Sequence, residues 1–265
     1  MYALANPTRT DTIDRMTPDP LMSVESGPSN GRRANGSRPL VSIVIPTLNE
    51  VVLLPALLHD LGHFDLPVQT VVADGGSRDE TVSVARSLGA QVVLSDRGRG
   101  PQMNAGARAA RAPWLCFLHA DVRLGARARN DLATIVGNPG AHAAVWRLAI
   151  DAEGWWFRTV EWGARMRDRL GGLPYGDQGL LVRASLFQRL GGFPDYPVME
   201  DVALVRAVRR TTALHRLSSS VVVSARRWKK EGPVRTQVRN VALIAAYMSG
   251  VSPHRLARWY PDHSR

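Results

Sequence analysis

The chain contains one cysteine, few aromatics and no long apolar run. A single cysteine, Cys116, excludes an intrachain disulfide and makes a reducing compartment the simplest home. Its neighbours in Trp114–Leu118 are apolar, so nothing beside it stabilises a thiolate. No stretch approaches the ~20 apolar residues of a membrane span, and the nearest, Val241 to Met248, is too short. The amino terminus lacks the basic-then-apolar pattern of a signal segment. The expected location is therefore the cytoplasm, with peripheral attachment to the inner face of the cell membrane as a further expectation. A Gly-x-Gly-x-x-Gly after the first strand and a Walker A pattern are both absent, so neither a dinucleotide nor a P-loop reading is supported. No DNA- or RNA-binding motif occurs and the arginines do not alternate with aromatics, so no nucleic acid partner is expected.

What is present is ample core material and excess positive charge. In 265 residues, 45% are hydrophobic and the formal net charge is +11. That balance suits acidic partners, whether nucleotides, nucleic acid or anionic lipid. Residues 1–38 are rich in Pro, Ser, Asn, Gly and Arg without apolar clusters and read as a disordered tail. From residue 39, short β-branched or apolar runs alternate with helical stretches. Strands are predicted at 41–45, 69–73, 91–94 and 114–118. Helices are predicted at 51–59, with Pro55 in the first turn, and at 80–88, with Ser77 or Asp79 as cap. Residues 97–107 read as a glycine-rich loop entering an Ala-rich helix that ends near Arg111. This alternation implies a parallel sheet with right-handed crossovers. Further on, helices are predicted at 126–136, 155–170, 184–190, 200–210 and 233–248. Strands are predicted at 143–150, 180–182 and 218–224. Residues 171–179 are too glycine-rich for a regular element, and 226–230 read as a basic loop.

Trp114 to Val122 reads Trp-Leu-Cys-Phe-Leu-His-Ala-Asp-Val. An apolar strand ends abruptly at His119-Ala120-Asp121. Ligands bind at the carboxyl ends of strands in open α/β sheets, so Asp121 stands where a metal or phosphate would be held. Capping of the next helix is the plainer alternative.

Five motifs in order give a resemblance. Ser42–Glu50 (Ser-Ile-Val-Ile-Pro-Thr-Leu-Asn-Glu) resembles the opening strand and base-binding loop of the family 2 glycosyltransferases. Asp74-Gly75-Gly76-Ser77-Arg78-Asp79-Glu80-Thr81 is similar to that family's second motif, whose first Asp contacts the uracil. His119-Ala120-Asp121 occupies its Asp-x-Asp slot, Glu200-Asp201 its catalytic pair, and Ser224–Trp228 its Gln-x-x-Arg-Trp motif. Two positions depart: His119 replaces an Asp, leaving one sure metal carboxylate, and Ser224 replaces the Gln. The second departure argues against a polysaccharide synthase, and the size resembles a small non-processive bacterial subgroup.

The resemblance implies a GT-A fold, with a mostly parallel central sheet flanked by helices. Its Rossmann-like nucleotide half would span about 39–122 and its acceptor half about 123–228, followed by a basic helical extension, 229–265, packing on the domain or a membrane. It implies transfer of a sugar from a nucleotide-diphosphate donor, a UDP-sugar, with inversion. The acceptor hydroxyl or carboxylate would belong to a lipid- or carotenoid-like molecule. Pro46, Thr47, Asn49, Glu50, Asp74, Gly75, Arg99, Asn104, Ala120 and Asp121 would bind the donor. Asp201 would be the base, its pKa raised by burial beside Glu200. Tyr175, Gly176, Asp177, Gln178, Arg227 and Trp228 would face sugar or acceptor. Mg²⁺ or Mn²⁺ would sit on Asp121, with His119 as a second ligand or a hydrogen-bonding neighbour. Trp146 could stack on a sugar or lie in the core, and Trp155 and Trp156 read as packing residues or as a wall of the acceptor groove. The rival enzyme class is a nucleotidyltransferase, which needs a Gly-rich loop with Arg and Lys after the first strand. Pro46–Glu50 does not supply one.

Overall fold

The computed structural model describes residues 38–170 and 176–259. The first half alternates strand and helix: β1 (Val41–Thr47), α1 (Leu54–Leu61), β2 (Val68–Asp74), α2 (Thr81–Ser87), β3 (Gln91–Leu94), α3 (Arg99–Ala109) and β4 (Trp114–Phe117). The second half adds β5 (Val122–Arg123), α4 (Ala126–Gly137), β6 (Ala143–Asp151), α5 (Trp155–Leu170) and a 3₁₀ turn at Gly176–Gln178. It continues with β7 (Leu180–Arg183), α6 (Ala184–Arg189), α7 (Glu200–Thr211), β8 (Leu214–Ser224), α8 (Arg226–Glu231) and α9 (Pro233–Met248).

The strands form one sheet ordered β3-β2-β1-β4-β7-β6-β8-β5. Pairings β1–β2, β1–β4, β2–β3 and β6–β8 are parallel, and β4–β7, β5–β8 and β6–β7 antiparallel. The parallel expectation thus describes the nucleotide-type half, and the second half is mixed. All seven β1 residues are buried, which is why the strand reads as a continuous β-branched run rather than an alternation. Each such Val or Ile contributes about 1.5–3 kcal/mol by leaving water. Cys116 lies in the same core, and burial pushes its thiol pKa up, as expected of an inert thiol.

Three local expectations change. The glycine-rich stretch after β3 is already helix from Arg99. Gly98, at φ 137°, makes the turn, and Pro101 falls in the first turn, where a missing N–H is harmless. A Cβ on Gly106 would collide with Val44 Cγ1, so that glycine lets α3 lie close on β1. The basic run after β8 is helix α8, which ends at Gly232 with φ 85°. Residues 122–123, expected to lie between elements, pair with β8. The predicted tail lies outside the described residues except Arg38, as do residues 171–175 of the glycine-rich loop.

Candidate active site

The carboxyl ends of β1 and β2 carry two loops that brace each other. The Asn49 N–H donates to Ser77 Oγ (2.8 Å), and the Arg78 N–H donates to Asn49 Oδ1 (2.8 Å). The Glu50 N–H donates to Thr81 Oγ1 (2.9 Å), and the Val51 N–H to Asp79 Oδ2 (3.3 Å). Asn49 takes a left-handed φ of 55° to fit this arrangement, a conformation Asn tolerates better than most residues. Asp74 is 1% exposed. Its carboxylate accepts from Thr47 Oγ1 (3.0 Å), Ser77 Oγ (2.5 Å) and the N–H groups of Gly76 (3.0 Å) and Ser77 (2.8 Å). Four donors match the acceptor capacity of a carboxylate, so Asp74 organises the loop around itself.

Ser77 therefore serves Asp74 rather than capping α2. Asp79 accepts from the N–H of Thr81, the first residue of that helix (3.0 Å). Although burial raises the Asp79 pKa, the hydrogen bonds from Thr81 and Val51 hold it below its usual value.

Gln102, which carries no motif signal, locks α3 to this cradle. Its buried Nε2 donates to the carbonyls of Thr47 (2.7 Å) and Ala73 (2.9 Å). A Cβ on Gly75 would come within 3.0 Å of the Gln102 side chain, so Gly75 is needed for packing. Asn104, expected at the donor, instead clamps the backbone of Phe193. Its Nδ2 donates to the Phe193 carbonyl (2.8 Å), and its Oδ1 accepts the Phe193 N–H (3.0 Å). Glu50 faces Arg226, whose guanidinium lies 2.9 and 3.0 Å from its two oxygens.

A cavity of about 110 Å³ opens at the end of β4. From the first half it takes Arg99, His119 and Asp121; from the second, Asp177, Asp201, Ser224 and Trp228. Val198, Met199, Val202, Val223, Leu243 and Ile244 line the rest, with Asn240. Asp121 is tied to β8 through the Ser224 N–H, which donates to its carbonyl (3.0 Å). The segment after Asp121 is anchored by Asp60 of α1. Its carboxylate receives Arg123 Nε (2.7 Å), Arg123 Nη2 (2.9 Å) and the Leu124 N–H (2.9 Å). Burial raises the Asp60 pKa, but the Arg123 and Leu124 hydrogen bonds outweigh it and hold the group below the usual carboxylate range.

Asp201 meets the Gly176 N–H at 2.7 Å. A Cβ on Gly176 would lie 2.8 Å from Asp201 Oδ2 and 3.3 Å from His119 Nε2. A larger residue there would push on both side chains, so glycine lets the turn lie against His119 and Asp201. Met199, at φ 67°, turns the chain into α7. A left-handed non-glycine residue is strained, and this one precedes the two acids. Glu200 is 1% exposed, while Asp201 is half-buried and faces the cavity. The burial expected for Asp201 thus falls on its neighbour. Burial pushes the Glu200 pKa up to about 7; Arg99 opposes the rise and Asp201 adds to it. Arg99 Nε lies 2.9 Å from one Glu200 oxygen.

Gln178 is 1% exposed, and among the described residues its Oε1 has no hydrogen-bond partner. Trp228 is also buried and lines the cavity, and among the described residues its Nε1 has no hydrogen-bond partner. Trp146 belongs to the core, with Nε1 donating to the Ala128 carbonyl (3.2 Å). Trp155 is 76% exposed, and neither it nor Trp156 lines the cavity. Tyr175 and the Arg227 side chain lie outside the described residues. Of the expected residues, the cavity gathers Arg99, His119, Asp121, Asp177, Asp201 and Trp228. Pro46, Thr47, Asn49, Glu50, Asp74 and Gly75 form the separate cradle at the ends of β1 and β2. Met199, Asn240, Leu243 and Ile244 are additions; Leu243 and Ile244 are visible in the sequence only as part of the apolar stretch 241–248, and nothing there marks Asn240. Among the described residues, no three His, Cys, Asp or Glu side chains form a group that could hold a metal by themselves.

The model of the family described as Glycosyl transferase family 2 matches residues 42–190. A PGL/p-HBAD biosynthesis glycosyltransferase of Mycobacterium tuberculosis is 40% identical over 95 residues, 31% of this chain and 36% of the relative. An uncharacterized glycosyltransferase of the same species is 37% identical over 97 residues, 36% of this chain and 42% of the relative. This chain thus spans well under half the length of these curated relatives. Among solved structures, the mannosyltransferase PcManGT of Pyrobaculum calidifontis, in complex with GDP-Man and Mn²⁺, superposes with TM-score 0.58. It shares 22% identity and covers 84% of this chain and 69% of its own. Staphylococcus aureus TarS in complex with UDP-GlcNAc gives TM-score 0.55 at 16% identity, covering 69% of this chain and 58% of its own. These likenesses show the GT-A fold.

Proposed function

Because the chain belongs to glycosyl transferase family 2, we propose that it moves a sugar from a UDP-sugar to a hydroxyl of a lipid-like acceptor, with inversion. One observation carries this reading: Asp201, oriented by the Gly176 N–H at 2.7 Å, shares a cavity with Asp121 and His119 from the nucleotide-type half. Such transfer needs a held donor, a neutralised diphosphate and a base at the acceptor. The braced loops 47–50 and 74–81 supply a rigid seat for base and ribose. Asp201 takes the acceptor proton as the acceptor oxygen bonds to the anomeric carbon. The nucleoside diphosphate leaves from the opposite face, which inverts the centre.

Asp121 and His119 both line the cavity, and a carboxylate beside an imidazole suits a divalent ion. Asp121 and His119 would hold Mg²⁺ or Mn²⁺. Bound there, the ion supplies Lewis-acid stabilisation of the leaving group. Arg99, ion-paired with Glu200, adds positive charge to the same cavity. The same cavity has an apolar lining of Val198, Met199, Val223, Leu243 and Ile244, which suits an acceptor with an apolar body. The buried Trp228 Nε1–H offers such an acceptor a hydrogen bond.

A donor screen by thermal shift tests the reading. UDP-, GDP- and dTDP-sugars are compared with and without Mn²⁺, since a ligand that binds only the folded form raises the melting temperature. UDP-sugars with Mn²⁺ are expected to give the largest rise. No response to any donor would sink the proposal.

A further inference from the structure

Helix α9 turns a mixed face inward and an apolar stripe outward, and no described residue covers the stripe. Inward, Thr236 and Leu243 are buried, and Asn240 and Ile244 line the cavity. Outward, Val234, Val238, Val241 and Met248 are 55%, 62%, 55% and 47% exposed, with exposed Ala242 and Ala245 between them. Steps of three and four residues put these side chains in one stripe along the helix. At 1.5 Å per residue the stripe is about 20 Å long. Single exposed apolar residues are ordinary, but a continuous stripe marks a surface that meets something apolar.

The charges around the stripe select what that is. Between residues 229 and 259 there are six Lys or Arg residues and one acid, Glu231, which is itself ion-paired with Arg239. Lys229, Lys230 and Arg235 are exposed at the start of the stripe; Arg255 and Arg258 are exposed beyond its end, beside Trp259 at 60% exposure. A second copy of this chain would bring the same positive rim against its own. An apolar stripe with a cationic rim and an interfacial Trp instead matches the boundary between acyl chains and anionic headgroups.

We propose that α9 docks the protein in the plane of an anionic membrane surface, with Val234, Val238, Val241 and Met248 facing the acyl boundary and Lys229, Lys230 and Arg235 the headgroups. Its inner face lines the cavity, so docking places the cavity beside the bilayer. The inference does not depend on sugar transfer.

The full chain is sedimented with vesicles of phosphatidylcholine alone or mixed equally with phosphatidylglycerol. Binding is expected to the mixed vesicles only. Val238→Gln with Val241→Gln should weaken it by about tenfold or more. Lys229→Gln with Lys230→Gln should weaken it about fivefold per charge removed, and the wild type should lose it at high salt. Unchanged thermal melting of both double variants, whose altered side chains are exposed, keeps the comparison sound. Absence of wild-type binding to the mixed vesicles, or equal binding by the valine variant, would overturn the proposal. So would a wild-type dimer in sedimentation velocity that the valine variant converts to monomer, since a second copy would then cover the stripe. Failure of the donor screen would leave vesicle binding unaffected, so the two readings fail separately.

Discussion

The cradle at the ends of β1 and β2 and the wall made by Gly176–Gln178, α8 and α9 treat their polar atoms in opposite ways. In the cradle, Asp74, Asn49, Asp79 and Gln102 are bonded to neighbouring loops and strand ends. In the second region, the Nε1 of Trp228, which lines the cavity, and the Oε1 of Gln178 are buried without partners among the described residues. A polar group left unpaired in the interior costs about 1–3 kcal/mol, so such groups persist where something else can use them. The first region is built for rigidity, and the second leaves bonding capacity open. The family model matches the first region and Gly176–Gln178 of the second, and stops at residue 190, before α8 and α9.

Mutations can break or sharpen that contrast. The largest effect is expected from Asp201→Asn, which removes the proposed base from the cavity. Turnover should fall about 10²–10⁴-fold, with UDP binding by calorimetry unchanged; wild-type turnover would refute the base assignment. Next comes Gln102→Ala in the cradle. It removes the side-chain donor to the buried carbonyls of Thr47 and Ala73, the first of which keeps the Gly75 N–H (3.0 Å), and should cost about 3 kcal/mol in urea unfolding. A loss under ~1 kcal/mol would mean that the cradle does not depend on this brace.

Glu200 gives a pH signature. Its folded pKa, about 7, is above its ordinary 4.5. Below the lower value both states are protonated and Glu200 has no effect. Between the two values the unfolded chain has released a proton that the folded chain keeps, so stability falls as pH rises. The fall should be roughly 3 kcal/mol and level off above the folded pKa. Glu200→Gln should flatten this part of the stability profile measured by chemical denaturation. A variant profile parallel to the wild type would place the titration elsewhere.

The smallest effect on stability is expected from Trp228→Phe, because the lost N–H has no partner among the described residues. Melting should change by little, within about 0.5 kcal/mol. The acceptor kcat/KM should fall about tenfold if that N–H meets the acceptor, equivalent to ~1.4 kcal/mol. A large stability loss with normal kinetics would make the wall structural, and the contrast between the regions would disappear.

The sequence by itself determined the alternation of elements and the place of His119 and Asp121. β1, β2 and β4 are short apolar runs because buried parallel strands have no polar face, and such runs are visible without coordinates. It also marked the Glu200-Asp201 start of α7, because acids suit a helix N-terminus. Which of the two acids is buried was decided only by the tertiary structure. Met199 and Gly176 set that, through a left-handed turn and a contact across 25 residues. The structure likewise gave Asn104 to Phe193 and made Gln102 a brace, since both partners lie far away in the chain. The two-sided character of α9 was also hidden. Its composition shows apolar and basic residues, but which face packs depends on where β8 and α7 end. A pattern of residue types records what each side chain prefers; only the packed chain fixes which neighbour meets that preference.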